Sequence, residues 1–455
     1  MDAQSIQAFF APVAGQIDPQ AVIENYLAVQ DAYAVDKRKL PLPVWARRGL
    51  SDKGAQAWRT IQADMTHYQN ENGYCIYLHV PFCKEKCVFC DCYSFRLANH
   101  PEAVIEKYLK ALDLEMQAWN SLGILQERRL STVHLGGGTP TFLGLQYFPR
   151  LVKALRAKFP PNAQTEWALE STSSELDEDM LALMDDLGFT RLHVGVQSLQ
   201  DPARQVIARR ETGATVLKKL EKAIRMGWVV SVDLICGLPH QTVPGWLDDL
   251  TRLAQAGVDG FSIYELQVTS RNRRFAQNNG LLDADRTERY LYFQAAEQQL
   301  GRLGYHKSLF NHFARQRDAN LYFTFPERGE DCLALGTIAD GILGDYHFRH
   351  PEYKQYLDTT TAFFPGLQGG ARQTPFENAL RPLETALLSG KISQSGLAAV
   401  LGPTFSAQLL EGWHNAKMID PGGTGAGQYG LTANGSWFVG EMMAQVASVG
   451  RQIFP

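Results

Sequence analysis

From residue 75 to residue 266 the chain repeats one pattern: a short apolar run, then a longer stretch with helical spacing. The apolar runs are 75–80, 130–135, 166–170, 191–197, 229–236 and 260–266. The helical stretches between them are 101–119, 144–159, 175–187, 216–226 and 245–256. Alternation of this kind predicts parallel β/α units. Right-handed crossovers arrange such units as an open doubly wound sheet or a barrel-like arc. In both, chemistry collects at the carboxyl ends of the strands. Cys83, the glycines at 136–138, Glu170, Gln197, Asp233 and Gln267 all fall at or just past those ends. The fold class is therefore α/β, with one shared site.

The flanks differ. Residues 1–70 read as an N-terminal arm, with a helix over 20–34 and an extended Leu40-Pro41-Leu42-Pro43 segment. A further helix is predicted over 283–304. The apolar, glycine-punctuated 331–344 stretch reads as a loop packed near a ligand, and 359–374 as a linker. Residues 378–449 have helical spacing and two glycine-rich turns, one at 421–430, and suggest a small winged-helix-like region. At 455 residues the chain has room for a large catalytic domain plus a smaller one. Its net charge of −4 gives no electrostatic case for nucleic-acid binding. No apolar run approaches the ~20 residues needed to span a bilayer. Four of the seven cysteines lie between positions 83 and 92. This points to a reducing compartment and a metal site, and a cytoplasmic location is expected.

Those four cysteines carry the chemistry. Cys83, Cys87 and Cys90 form C-x3-C-x2-C directly after a strand. Thiolates are soft ligands that select zinc, copper(I) or iron–sulfur clusters. Three of them can hold three irons of a 4Fe–4S cube and leave the fourth open to a small chelate. A structural zinc site completed by Cys92 or Cys75 is the competing reading, and a disulfide is a weaker one. Gly136-Gly137-Gly138-Thr139-Pro140 lets a ligand approach the backbone closely, yet lacks the Lys-Ser/Thr of a phosphate loop. A strand-end Glu170 can accept hydrogen bonds from a ribose or a cation, or simply face water. Gln197 ends the fourth strand, and Arg209 and Arg210 follow it. Asp233, inside an apolar strand, needs a ligand or a cation to offset burial. Tyr264, Tyr322 and Trp437 are either substrate neighbours or core.

The run Tyr77-Leu78-His79-Val80-Pro81-Phe82-Cys83, the C-x3-C-x2-C spacing and the following Cys92 resemble the radical SAM (S-adenosylmethionine) superfamily. More narrowly, they resemble the oxygen-independent coproporphyrinogen III dehydrogenase-like branch. The resemblance covers 75–350 well and the rest loosely. It implies a partial (β/α)6 barrel core at 71–358, with an N-terminal arm at 1–70 and a mainly helical C-terminal domain at 376–455. It implies a 4Fe–4S cluster on Cys83, Cys87 and Cys90. It also implies two SAM molecules shared among Tyr77, Phe89, Gly137, Gly138, Thr139, Glu170, Gln197, Arg209 and Asp233; Gln267 joins this set by position. The segment Pro-Arg-Tyr-Thr-Ser-Tyr-Pro of the dehydrogenases is missing upstream of the cysteines. The stretch 317–322, followed by 329–336, looks closer to class C radical SAM methyltransferases. Such enzymes take hydrogen from the methyl of one SAM and add the resulting carbon to an sp2 carbon of a flat apolar substrate. The expected substrate is a menaquinone ring at C8, with a tetrapyrrole as the alternative. Porphyrinogen oxidation and non-catalytic heme carriage are the other readings. A flavodoxin or ferredoxin-type electron donor and transient contact with a membrane surface are the expected partners.

Overall fold

Seven parallel strands run side by side, in the spatial order Asp331–Leu335, Tyr74–Val80, Leu130–Gly137, Glu166–Ser171, Arg191–Gln197, Val229–Cys236 and Gly260–Glu265. The structure is a computed structural model. It describes the chain except residues 66, 67, 69, 98–101, 124, 126, 283–286, 422–424 and 455, and the side chain of residue 47. Six of the seven strands are those that the apolar runs predict. The seventh corrects the reading of 331–344 as a loop: Asp331–Leu335 pairs in parallel with Tyr74–Val80, and Asp340–Leu343 follows as another strand. Antiparallel strands extend both sides, from Asp52–Lys53 at one edge to His306–Leu309 at the other. The sheet keeps two edges, so the barrel is partial.

The predicted linker at 359–374 is also corrected. Gly369–Arg372 is a strand between Tyr346–Arg349 and Asp52–Lys53. Its glycines fit a crowded place. A Cβ at Gly369 would sit 2.3 Å from the Asp52 carbonyl oxygen, and one at Gly370 would sit 2.4 Å from the Tyr346 ring.

Helices begin where capping chemistry allows. Asp18 accepts from the Gln20 and Ala21 amides to start Pro19–Val29, Thr212 caps Gly213–Arg225, and Thr242 caps Val243–Ala256. Thr374 and Glu377 form a capping box on Pro375–Ser389. The predicted helix starts at 101 and 283, and the middle of the glycine-rich turn at 421–430, lie outside the described residues. Beyond Pro375–Ser389, further helices surround a three-stranded antiparallel sheet, Ile392–Ser393, Gln428–Leu431 and Ile419–Pro421. The N-terminal region is tied to both neighbours. Arg38 Nε lies 2.6 Å from Glu265 Oε1, at the end of the last parallel strand, while its Nη1 donates to the Trp437 carbonyl at 2.9 Å. Among the described residues no helix is long and apolar enough to cross a membrane.

Strand faces alternate. Ile76, Leu78 and Val80 pack outward with the apolar core. Cys75, Tyr77 and His79 occupy the other face, the barrel lumen, together with His134, Glu170, Arg191, His193, Ser231 and Asp233. Register pairs such as Tyr77 with His134, Glu170 with His193, and Gly195 with Asp233 place them there. The segment from Arg317 to Glu330 fills the lower lumen. Tyr322 stacks on Tyr77 at 5.1 Å and on His134 at 4.4 Å. Tyr322 is thus lumen packing, Trp437 is fully buried core, and Tyr264 is partly exposed.

The deepest charge sits in this plug. Asp318 lies 2.6 Å from Arg191 and accepts from His312 at 2.9 Å, with all three side chains buried. Burial opposes ionisation of Asp318, but the His312 hydrogen bond and the Arg191 charge hold its carboxyl well below the usual range. Breaking a buried pair costs about 3–5 kcal/mol because the remaining charge is left unpaired. Asp318→Ala is therefore expected to lower stability by about that amount in urea denaturation at pH 7. A carboxyl with a depressed folded pKa stabilises above its unfolded value, and that contribution is lost as pH falls. The gap between wild type and variant should accordingly narrow as pH drops below about 4. A variant with wild-type midpoint at pH 7 would show that the pair contributes nothing.

Candidate active site

The cysteine loop is closed by a short ribbon. Phe82–Cys83 pairs in parallel with Phe95–Arg96. The Phe95 amide donates to Pro81 O at 2.6 Å and the Leu97 amide to Cys83 O at 2.9 Å. Lys86 Nζ donates to the Cys92 and Ser94 carbonyls, at 3.0 and 3.1 Å, from inside the loop. From outside, the strap after the sixth predicted strand grips it. Asn272, nearly buried, donates from Nδ2 to Phe89 O at 2.9 Å and to Gln267 O at 2.7 Å, and Thr269 Oγ1 donates to Asp91.

Cys83 is buried, Cys87 and Cys90 are half-buried, and Cys92 is exposed. Burial pushes the Cys83 and Cys87 thiols up, and the Arg209 charge draws Cys87 back. Cys90 is pulled down to about 6, first by a hydrogen bond with the Cys92 thiol and also by the Cys92 amide, Lys86 and Arg209. The same hydrogen bond, with burial, pushes the Cys92 thiol up. Cys75 begins the strand whose far end leads to Cys83. It neighbours Cys332 across the parallel pair in the lower lumen, so it does not join the cysteine loop. This removes one of the two candidates for a fourth zinc ligand and leaves Cys92 as the other.

The glycines answer to protein atoms as well as to a ligand. A Cβ at Gly136 would meet Glu170 Oε2 at 2.7 Å, one at Gly137 the His79 ring at 2.7 Å, and one at Gly138 the Phe82 carbonyl oxygen at 2.5 Å. Gly137 also has φ 105°, which disfavours any side chain. The Gly138 and Thr139 amides donate to Val80 O and Phe82 O at 2.7 and 2.8 Å, joining the second predicted strand to the cysteine ribbon. The Thr139 hydroxyl reaches Cys83 Sγ at 3.6 Å.

Glu170 accepts from the Gly137 amide at 3.3 Å and pairs with His134 Nε2 at 2.9 Å. Burial alone would raise its pKa, but the His134 bond and charge, with His193, bring it below the usual value. Asp233 has a buried partner: His193 Nε2 lies 2.6 Å from Oδ1, and His193 Nδ1 lies 2.6 Å from Ser231 Oγ. Burial opposes charge on His193, and Asp233 outweighs it to raise the imidazole pKa. Gln197 closes its strand with φ 70°, and the turn beyond it is held by Asp249, which accepts from Ser198 Oγ and the Leu199 amide. Arg210 pairs with Glu85 at 2.8 Å. Arg209 Nε is buried without a hydrogen-bond partner among the described residues.

Most of these groups share one open pocket. Cys83, Cys87, Cys90, Phe89, Gly137, Gly138, Thr139, Glu170, Gln197, Arg209 and Asp233 all line it, with Cys92 and His193. Two predicted site residues are placed elsewhere. Tyr77 stacks against Tyr322 and its hydroxyl lies 3.1 Å from His79 Nδ1. Gln267 donates from Nε2 to Glu265. The sequence reading passed over His134, His193 and Asn272. The signal for the two histidines was present: each sits on the alternate, polar face of an otherwise apolar strand.

Residues 77–263 match the family described as the Radical SAM superfamily. The anaerobilin synthase of Escherichia coli O157:H7 is 30% identical over 281 residues, covering 60% of this chain and 61% of that protein. The oxygen-independent coproporphyrinogen III oxidase of Escherichia coli K12 is 30% identical over 298 residues, covering 62% and 64%. The heme chaperone HemW of Bacillus subtilis is 29% identical over 194 residues, covering 42% and 50%. The chain thus spans less than two thirds of the length of these curated relatives. In structure it is similar to the coproporphyrinogen III oxidase of Escherichia coli, with TM-score 0.75 and 22% identity over 93% of this chain and 98% of that one. That likeness establishes the fold. The superfamily implies a 4Fe–4S cluster and SAM. The pocket fits both, with three thiols on one loop, a cradle that admits no Cβ, two carboxylates and an unpartnered guanidinium nitrogen. Residues 77–263 thus carry the sequence match to the Radical SAM superfamily, and the fold around them is that of the coproporphyrinogen III oxidase.

Proposed function

We propose that this protein is a radical SAM methyltransferase that uses two SAM molecules to methylate an sp2 carbon of a tetrapyrrole. The observation that carries the reading is the gathering of three thiols, the glycine cradle, Glu170, Asp233 and Arg209 around one pocket. When bound, the cluster and SAM supply a reductively generated radical and an activated methyl group. Cys83, Cys87 and Cys90 would hold three irons of the cluster, which would leave one for SAM. The Arg209 guanidinium, with its Nε unpartnered, suits a carboxylate, by charge-assisted hydrogen bonding. Glu170 and Asp233, anchored by histidines, suit ribose hydroxyls. Two such carboxylates on alternate strands provide for two SAM molecules.

Methyl transfer is favoured over porphyrinogen oxidation by the region before the barrel. In place of the dehydrogenase segment stands a run that sends Arg38 to Glu265 at the end of the last parallel strand. The preference for a menaquinone ring yields to a tetrapyrrole because relatives that cover the barrel are named for coproporphyrinogen and heme. Transient contact with a membrane surface is part of the same proposal. The half-buried Cys87 and Cys90, on a loop with exposed Lys84 and Glu85, suit electron entry from a small flavodoxin- or ferredoxin-type carrier.

Two outcomes check this reading. Anaerobically reconstituted protein should bind about four irons. Cys83→Ala, Cys87→Ala and Cys90→Ala should each abolish SAM cleavage, whereas Cys75→Ala, Cys236→Ala and Cys332→Ala should keep the cluster. Stoichiometric zinc without iron-dependent absorbance would sink the assignment.

The second outcome concerns the products. With methyl-deuterated SAM and a panel of heme, coproporphyrinogen and menaquinone, mass spectrometry should find 5′-deoxyadenosine carrying deuterium and also S-adenosylhomocysteine. A tetrapyrrole should gain a methyl with two or fewer deuteriums from SAM. Asp233→Ala should lower S-adenosylhomocysteine more than 5′-deoxyadenosine, because transfer demands near-contact geometry. An intact trideuteromethyl group would mean polar transfer. 5′-Deoxyadenosine without S-adenosylhomocysteine would mean oxidation. Methylated menaquinone would restore the quinone reading.

A further inference from the structure

The two pocket carboxylates are built the same way. His134 has Ala168 as its register partner on the next strand and bonds to Glu170, two residues further along, at 2.9 Å. His193 has Ser231 as its register partner and bonds to Asp233, again two residues further along, at 2.6 Å. The same offset thus recurs two strands apart. In each case a small residue opposite the histidine leaves room for its ring. Both imidazoles are buried, whereas the carboxylates keep 31% and 25% of their side chains open. The rings are themselves fixed, His193 by Ser231 Oγ and His134 by stacking on Tyr322.

Asp233 is held on one oxygen by His193, and Glu170 on one oxygen by His134 and on the other, at 3.3 Å, by the Gly137 amide; a carboxylate held by a rigid, buried donor cannot turn freely about its last torsion. Its open edge is aimed into the pocket before any ligand arrives, so less ordering remains to oppose binding. Outer partners of this kind, where they orient metal ligands, change affinity by about 10–100-fold. We infer that His134 and His193 are positioning residues, each presenting one pocket carboxylate, Glu170 or Asp233, to a hydroxyl-rich ligand group such as the ribose of SAM. The inference rests on reading the pocket as the SAM site, and adds that the histidines act only through their carboxylates.

Equilibrium dialysis of labelled SAM against the anaerobically reconstituted protein tests it by a double-mutant cycle. Asp233→Ala and His193→Ala should each weaken SAM binding by about tenfold or more. The double variant should bind within about twofold of Asp233→Ala alone, because coupled residues are not additive. His193→Gln, which keeps a donor toward Asp233, should recover most of the affinity. Glu170→Ala, His134→Ala and their double variant should behave in the same way. Iron content and the spectrum of the reduced cluster without SAM should stay at wild-type values, which a general packing defect would not allow. If His193→Ala loses iron, His193→Gln carries the test, and weak binding by it with full iron content overturns the inference. Additive penalties, or wild-type affinity in both histidine variants beside weak binding in the carboxylate variants, overturn the inference alone. Wild-type affinity in Asp233→Ala and Glu170→Ala overturns the SAM site along with it.

Discussion

Ionised groups inside a sheet are expensive unless each finds a partner, and the lumen of this barrel is full of them. In the lower lumen Arg191, Asp318 and His312 satisfy one another, and Glu330 takes Arg129, Ser131 and Arg328. All of these depend on the segment from Arg317 to Glu330 being folded inward. That segment also brings Tyr322 against His134, which in turn steadies Glu170. Pairing of charge at the bottom thus continues as orientation of charge at the top. The site is supported from the interior of the sheet as well as from its rim.

The cysteine loop depends on a second set of distant contacts. Its ribbon is tied to the second predicted strand through Gly138 and Thr139, and its middle is held at Phe89 by Asn272. Asn272 also bonds to the Gln267 carbonyl, Gln267 bonds to Glu265, and Glu265 meets Arg38 of the N-terminal region. Arg38 itself lies over the Trp437 ring at 4.2 Å. Three parts of the chain separated by hundreds of residues therefore meet beside the loop. Loops without regular structure hold their shape only where their backbone polar groups find such partners.

This division explains what could be read from the sequence. Six parallel strands announced themselves because strands covered on both sides are apolar runs between helices. The pocket followed, since strand ends in such folds converge. Asp331–Leu335 did not announce itself. Its glycine-rich surroundings suggested a loop, and only its pairing with Tyr74–Val80, some 250 positions earlier, makes it a strand. Gly369 and Gly370 looked like linker residues because the Asp52 carbonyl and the Tyr346 ring that exclude a side chain there are remote in sequence. Tyr77 stands at a motif position, yet its ring stacks on Tyr322, and Gln267 turns to Glu265. In each case the deciding partner is non-local.

The histidine–carboxylate pairs show why residue type alone could not separate structure from function. Asp318 and Asp233 are both aspartates on the lumen side, and each is bonded to a histidine. Asp318 is fully covered and has two partners, Arg191 and His312, so its charge is balanced within the protein. Asp233 has His193 on one oxygen and a quarter of its side chain open to the pocket. The same contrast separates Glu330, buried beneath Arg129, Arg328 and Ser131, from Glu170, which keeps an open edge. A carboxylate saturated with partners can only hold the fold together. One that stays partly open retains acceptor capacity, and in a pocket shared with three thiols and an unpartnered guanidinium nitrogen that capacity faces the ligand.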